Sequence, residues 1–163
     1  MKVFLVRHAD ADAEIPEGLG DEARTLTTKA RHTVMAHFEA LAPRMTGAAL
    51  LLTSPLARTV QTAQLLALAL KLQTPLRAHR SLLPDMPAGA IETVLNEHAG
   101  ETLILVGHQP SMGAMAAHLL GLQAFPKQVN PGTVIGLEKP DAPGSVAKLL
   151  FYAPPSLPVL DAL

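Results

Sequence analysis

The sequence begins MKVFLVRHADADAE (residues 1–14), and this stretch indicates both a buried strand and an unusual end to it. Residues 3–6, VFLV, are four consecutive apolar side chains, which is the pattern of a strand covered on both faces. Arg7 and His8 follow with no turn residue between them and the apolar run. A strand suited to burial is therefore followed directly by a cationic side chain and an imidazole at its carboxyl end.

Similar apolar runs recur along the chain and alternate with helical patterns. The further strands that they predict are residues 48–53, 76–83 and 102–106, and a hairpin or edge pair from residues 133–138 and 146–152. Apolar residues repeated every three or four positions predict four helices. Thr27 or Thr28 caps the first, and the others cover residues 56–72, 90–99 and 111–122. Buried strands alternating with amphipathic helices predict a three-layer α/β/α sandwich with a mostly parallel central sheet.

Composition limits the classes of protein that the chain fits. With 163 residues, 48% hydrophobic and 17% charged, we expect one packed domain over residues 1–163. The net charge of −1 gives no sign of a nucleic-acid partner. The chain has no cysteine, which excludes disulfides and thiol chemistry. No apolar run reaches the roughly 20 residues that span a membrane, and the apolar N-terminus is too short for a signal peptide, so we expect a cytoplasmic protein without membrane attachment.

Polar side chains that can bind a ligand or take part in catalysis follow three of the predicted strands. Arg7 and His8 come directly after the first, Ser54 and Arg58 after the second, and His108 after the strand at residues 102–106. In open α/β sheets, ligands bind at the carboxyl ends of the strands. Two arginines and two histidines at one such edge suit a dianionic group, because arginine binds phosphate bidentately and stays charged.

A histidine in such a cleft is also suited to catalysis. Neutral imidazole is a nucleophile near pH 7 and accepts a phosphoryl group to form a covalent intermediate, which water then hydrolyses. A second histidine, held protonated by the phosphate, would neutralise charge on the phosphoryl oxygens. With arginines and an imidazolium present, we expect no metal and no cofactor. Pro110 lies where a helix begins, so the adjacent Gln109 is a further phosphate-binding candidate through backbone N–H groups.

Two other interpretations of these residues are weaker. The acidic run at residues 10–14 lacks the glycine that an EF-hand loop needs at its sixth position, where Ile15 stands. An aspartyl phosphatase would place its first aspartate directly after the strand, where Arg7 and His8 stand instead. Ser54 has no Gly-x-Ser-x-Gly elbow, so we expect it to support the site rather than to act as a nucleophile.

Four motifs, in the expected order, give the chain a resemblance to the histidine phosphatase superfamily, which has the phosphoglycerate-mutase-like fold. They are Leu5-Val-Arg-His-Ala9, Arg24-Thr-Leu-Thr27, Thr53-Ser-Pro-Leu-Ala-Arg58-Thr-Val-Gln-Thr62 and Leu105-Val-Gly-His108. The small bacterial phosphohistidine phosphatases of the SixA type are the branch that the chain resembles. Ala9 takes the place of a glycine in the first motif.

The resemblance implies a role for each matching residue. His8 would be the phosphoacceptor, and Arg7, Arg58 and His108 would clamp the phosphate. Asp85 stands where larger members carry an acid, commonly glutamate, that protonates the leaving oxygen. The shorter side chain is a departure from the family pattern.

Substrate class is inferred from size and leaving group. Members that act on sugar phosphates carry long insertions over the pocket, for which this chain has little room, and an imidazole leaving group tolerates a weak acid. We therefore expect a metal-independent phosphatase of protein phosphohistidine. The alternatives left open are a phosphatase of a small phosphoester and a scaffold that binds phosphoproteins without turnover; a mutase is disfavoured because it must exclude water.

Overall fold

The computed structural model describes residues 1–163 and contains a six-stranded central sheet with four α-helices. The strands are β1 (Lys2–Arg7), β2 (Leu50–Thr53), β3 (Leu76–Ala78), β4 (Leu103–Gly107), β5 (Val134–Glu138) and β6 (Lys148–Ala153). The α-helices are α1 (Thr28–Leu41), α2 (Ala57–Leu70), α3 (Ala90–Glu97) and α4 (Ser111–Leu120). Short 3-10 turns lie at Asp21–Ala23, Ala42–Arg44 and Arg80–Leu82.

The strands are arranged in the order β3-β2-β4-β1-β5-β6. Strands β3, β2, β4 and β1 are mutually parallel, whereas β5 pairs antiparallel with β1 and with β6. The last two strands form the antiparallel pair that their sequence predicts. The connections lead from β1 toward the β2 side of the sheet and from β4 toward the β5 side, so they diverge at β1 and β4, the position where ligands bind in such sheets.

Two hydrophobic clusters, one on each face of the sheet, make the three layers. Alternate residues of the central strands supply opposite faces: Leu105 packs in the cluster that includes residues of α3 and α4, and Ile104 packs in the cluster that includes residues of α1 and α2. Because both faces are covered, β1 and β4 carry apolar side chains at consecutive positions. The mixed α/β architecture predicted from the sequence is confirmed.

The clearest difference from the predicted elements concerns the third strand. It ends at Ala78 rather than extending to residue 83, and Arg80–Leu82 forms a 3-10 turn instead. The turn carries Leu82 into the core with no exposed surface, and the backbone N–H of Ser81 donates to Nδ1 of His79 at 3.1 Å. At the start of α1, Thr27 is the residue that caps the helix, accepting from the N–H of Ala30 at 3.0 Å. No helix combines the length and apolar character needed to cross a bilayer.

Gly132 fixes the backbone at the carboxyl end of β1. Its N–H lies 3.1 Å from the carbonyl oxygens of both Arg7 and His8. Its φ of +84° is in the left-handed region, and a Cβ there would lie 2.9 Å from Cγ of Pro155 and 3.2 Å from Cγ2 of Val34. The residue that holds the end of β1 therefore needs to be glycine for two reasons, conformation and space.

We predict that Gly132→Ala lowers the free energy of unfolding by more than Gly144→Ala does. Gly144 shares the left-handed conformation, with φ +73°, but a Cβ there would meet nothing within 4 Å. The conformational cost, about 1–2 kcal/mol for a left-handed alanine, applies to both variants, and only Gly132→Ala adds a steric clash. Urea denaturation of both variants measures the difference; equal losses would show that the space around Gly132 adapts.

Candidate active site

The sheet register brings three strand ends together. In the parallel pairing of β1 with β4, Arg7 lies opposite Gly107, so His8 and His108 follow at the same level. On the other side of β4, Thr53 of β2 lies opposite Val106. Since β4 stands between β1 and β2, the residues after all three strands meet at one edge.

A cleft of about 280 Å³ opens at this edge and is lined mainly by polar side chains. Its lining residues are Arg7, His8, Asp10, Ala11, Arg24, Arg58, Pro84, His108, Gln109 and Pro131. Three arginines, two histidines and a single carboxylate therefore share one small space. No group of three or more histidine, aspartate or glutamate side chains is arranged to hold a metal ion.

The His8 ring is held by a single backbone hydrogen bond. Nδ1 lies 2.6 Å from the carbonyl oxygen of Ala9, so in the neutral ring Nδ1 carries the proton and donates it to that oxygen. This tautomer leaves the lone pair on Nε2. The backbone N–H of Ala9 in turn donates to the hydroxyl of Thr62 on α2 at 3.0 Å. The geometry suits attack by Nε2 of His8.

Both cleft histidines are neutral near pH 7. Burial away from water lowers the pKa of His8 from its ordinary 6.5 to about 4, and the positive charges of Arg7, Arg58 and Arg24 lower it further, against the opposing hydrogen bond to Ala9. Burial, aided by His8 and Arg58, lowers the pKa of His108 to about 3. Neutral imidazole is the nucleophilic form of histidine. The expected imidazolium at His108 is the form that a bound phosphate dianion would favour.

His108 lies edge-on to His8, with ring centroids 5.3 Å apart. Its Nε2 is 2.8 Å from the hydroxyl of Ser54, which is fully buried at the end of β2. The other ring nitrogen, Nδ1, is buried without a hydrogen-bond partner. Ser54 thus contacts His108 from the protein interior and does not line the cleft.

Arg7 and Arg58, like His108, each have a buried nitrogen without a hydrogen-bond partner. Nε of each arginine is buried and has no partner, although Nη1 of Arg7 donates to the carbonyl oxygen of Val129 at 2.8 Å. Together with Nδ1 of His108, three of the five such atoms in the protein belong to residues that line this cleft. Buried donors without partners are uncommon, and an oxyanion is the kind of group that satisfies them.

Three charged residues at the cleft were not assigned a catalytic or binding role from the sequence: Asp10, Asp21 and Arg24. Arg24 lines the cleft, and Asp21 contacts both Arg24 and Arg58. Arg24 belongs to one of the quoted motifs, which is a signal for it. Asp21 stands in a loop with several other carboxylates, and nothing in the sequence distinguishes it from them.

The two remaining predicted site residues differ in their placement. Gln109 lines the cleft, and its side-chain Oε1 accepts a hydrogen bond from the N–H of Gly113 at 2.7 Å, in the first turn of α4. Asp85 is exposed, with φ of +64°, and only its neighbour Pro84 lines the cleft. The roles of both residues stay predictions.

We predict that His8 titrates near pH 4 in the folded protein and near 6.5 when unfolded in urea. Since the folded pKa lies below the unfolded one, the unfolded chain binds more protons between these values, and stability falls as pH decreases from 6.5 toward 4. Histidine Cε1–H chemical shifts followed by NMR give the midpoint, and His8→Asn identifies the signal. A midpoint near 6.5 in the folded protein would contradict the assignment of a desolvated, arginine-flanked ring.

Comparison with known proteins gives one family model and several solved structures that the chain resembles. Residues 3–82 match the family model "Histidine phosphatase superfamily (branch 1)". No curated protein matches the sequence. The fold is similar to that of the protein histidine phosphatase SixA complexed with tungstate, with a TM-score of 0.83 at 20% identity over 94% of this chain and 96% of that one.

Two other solved structures show the same fold. A protein named as a phosphohistidine phosphatase SixA from Agrobacterium tumefaciens gives a TM-score of 0.80 at 22% identity over 94% of this chain and 97% of that one. A mycobacterial glucosyl-3-phosphoglycerate phosphatase in complex with VO3 gives 0.68 at 18% identity over 91% and 96%. The match over residues 3–82 and this shared phosphoglycerate-mutase-like fold make the chain similar to the histidine phosphatase superfamily.

Proposed function

We propose that this protein is a phosphatase that removes the phosphoryl group from phosphohistidine in another protein, through a phosphohistidine intermediate on its own His8. The observation that carries the proposal is the His8 ring itself. Its Nδ1 is committed to the carbonyl oxygen of Ala9, so the free Nε2 belongs to a neutral ring in a cleft with three arginines. A neutral nucleophile surrounded by fixed positive charge suits attack on a phosphoryl group.

In the first step, the lone pair on Nε2 of His8 forms a bond to phosphorus. The bond from phosphorus to the substrate nitrogen breaks, and its electron pair goes to that nitrogen. The substrate ring enters with a proton on its other nitrogen, so it leaves as neutral imidazole. Arg7, Arg58 and His108 supply N–H groups to the three phosphoryl oxygens as negative charge redistributes over them. Their unpartnered atoms, Nε of each arginine and Nδ1 of the histidine, are the donors that support this role.

In the second step, water attacks the phosphorus atom held on His8. The bond between phosphorus and Nε2 breaks, inorganic phosphate leaves, and the imidazole returns to its neutral form with the proton still on Nδ1. The arginines supply the charge that a metal ion supplies in other phosphatases. We therefore propose a reaction that needs no metal and no cofactor.

Three features favour phosphohistidine as the substrate. The connection between β3 and α3, residues 79–89, contributes only Pro84 to the lining of the cleft, which leaves this side accessible to a group on a protein surface. Asp85 lies outside the lining, and an imidazole leaving group depends little on an acid. The fold also agrees more closely with the SixA structure than with the glucosyl-3-phosphoglycerate phosphatase, at TM-scores of 0.83 and 0.68.

We predict that the wild type releases phosphate from a ³²P-phosphohistidine protein and carries transient acid-labile label, whereas His8→Ala does neither. The substitution removes the nucleophile while the strand that bears it stays buried. His32→Ala is the matched control, because it removes an exposed histidine of α1 that does not line the cleft. Quenched-flow labelling and phosphate release give both readouts.

Each alternative gives a different result in this experiment. Hydrolysis of small phosphoesters far above that of phosphohistidine would keep the nucleophile and change the substrate. Turnover by His8→Ala at the wild-type rate would show that another group is the nucleophile. Phosphoprotein binding with no release on any substrate would indicate a scaffold.

We predict that Asp85→Asn leaves phosphohistidine turnover within about twofold of wild type, because imidazole leaves readily without an acid. If Asp85 is the acid that the family resemblance implies, the loss falls on alkyl phosphates, for which proton donation contributes on the order of 10²-fold. Asp10→Asn is the comparison, since Asp10 is the carboxylate that lines the cleft. A tenfold loss on phosphohistidine for Asp85→Asn would contradict the argument from the leaving group.

A further inference from the structure

Asp21 joins two of the cleft arginines. Its Oδ1 accepts a hydrogen bond from Nε of Arg24 at 2.7 Å, and its Oδ2 accepts one from Nη2 of Arg58 at 3.1 Å. The main-chain carbonyl oxygen of Asp21 accepts a third bond, from Nη1 of Arg58 at 3.1 Å. One residue therefore holds both terminal nitrogens of Arg58 and also anchors Arg24.

The burial of the partners indicates what this contact does. The side chain of Arg58 is 7% exposed, whereas that of Asp21 is 56% exposed. An ion pair with such an exposed partner adds little to folding stability. The contact fixes the plane of the Arg58 guanidinium, because a guanidinium bonded at two of its nitrogens cannot rotate. The remaining N–H groups of Arg58 then have set directions.

The loop that carries Asp21 is itself tied to the helix that carries Arg58. The N–H of Leu26 donates to Oε1 of Gln61 on α2 at 2.8 Å. Within the loop, the N–H of Asp12 donates to the carbonyl oxygen of Thr25 at 2.8 Å. The carboxylate is thus set against α2 by independent bonds, and its position does not depend on the ion pair alone.

We propose that Asp21 is a positioning residue that orients Arg58, together with Arg24, toward the phosphoryl oxygens of the transition state. This inference rests on the proposed phosphoryl transfer at His8. Asp21 acts through the arginines and does not contact the reacting atoms.

The electrostatic sign of Asp21 makes the inference testable. A carboxylate beside a phosphate site repels the dianion and weakens ground-state binding. Orientation of Arg58 matters most for the five-coordinate phosphorus, whose oxygens differ in direction from those of phosphate. Positioning therefore predicts a selective loss of transition-state binding on removal of the charge, whereas repulsion alone predicts a gain for every anion.

The test compares Asp21→Asn with Glu22→Gln. Glu22 lies in the same 3-10 turn, is exposed, and has no hydrogen bond to either arginine, so the control removes the same charge from nearly the same place. Calorimetric titration measures binding of inorganic phosphate, which resembles the ground state, and of vanadate, which adopts the five-coordinate geometry. Steady-state kinetics on the phosphohistidine protein give kcat and KM.

For Asp21→Asn we expect vanadate affinity and kcat to fall roughly tenfold, since misplacement of a catalytic group by about 1 Å costs up to 10²-fold. Phosphate affinity and KM should change by less than about threefold. Glu22→Gln should leave all four quantities within about twofold of wild type. Asp21→Glu, which keeps the carboxylate, should recover part of the vanadate affinity, and thermal melting of all variants should coincide within about 3 °C.

Two results would overturn the role of Asp21. Either tighter binding of both anions by a similar factor in Asp21→Asn, or no change in vanadate affinity, would show that the contact does not orient Arg58. These results are distinct from failure of the proposed function. If the wild type neither binds vanadate nor turns over any phosphorylated substrate, the phosphatase itself is wrong; if it does both and Asp21→Asn matches it, only the positioning role is lost.

Discussion

The parallel pairing of β1 with β4 is the interaction on which the rest of the structure depends. It sets Arg7 opposite Gly107, and the next residue on each strand is a histidine. A shift of one residue in this register would move the two imidazoles apart and would also turn the apolar side chains of the strand to the wrong faces. Core packing and site geometry are therefore specified by the same pairing.

This arrangement requires that basic groups be crowded at the edge of an apolar sheet. Burial and neighbouring arginines act in the same direction on the histidines, lowering the pKa of both rings. Arginine stays charged under these conditions, whereas imidazole gives up its proton. In the proposed function, the arginines supply permanent charge that binds an anion, and His8 supplies an uncharged nitrogen that attacks it. Asp21, at the solvent side, is the acidic partner that the arginine cluster contacts.

Much of the fold was predictable because it depends on patterns that local sequence carries. The apolar runs of β1, β2 and β4 and the residues that follow them are evident in the sequence, and parallel sheets bring such ends together. The predicted third strand is longer than the observed one because Leu82 is as apolar as a strand residue. In the structure Leu82 enters the core from a 3-10 turn. Asp21 was missed for a different reason. Its role depends on how a long loop folds against α2, and its neighbours in the sequence are also acidic.

Pairing of β1 with β4 also has a kinetic consequence for the chain as it is made. About one hundred residues separate the paired positions Arg7 and Gly107, and contacts so distant in sequence form slowly because a long loop must close first. While β4 is still unsynthesised, the emerging chain holds His8 and Arg58 without the strand that lies between β1 and β2. Chains without β4 therefore have no assembled cleft, so the proposed phosphoryl transfer is restricted to chains that have completed their central sheet.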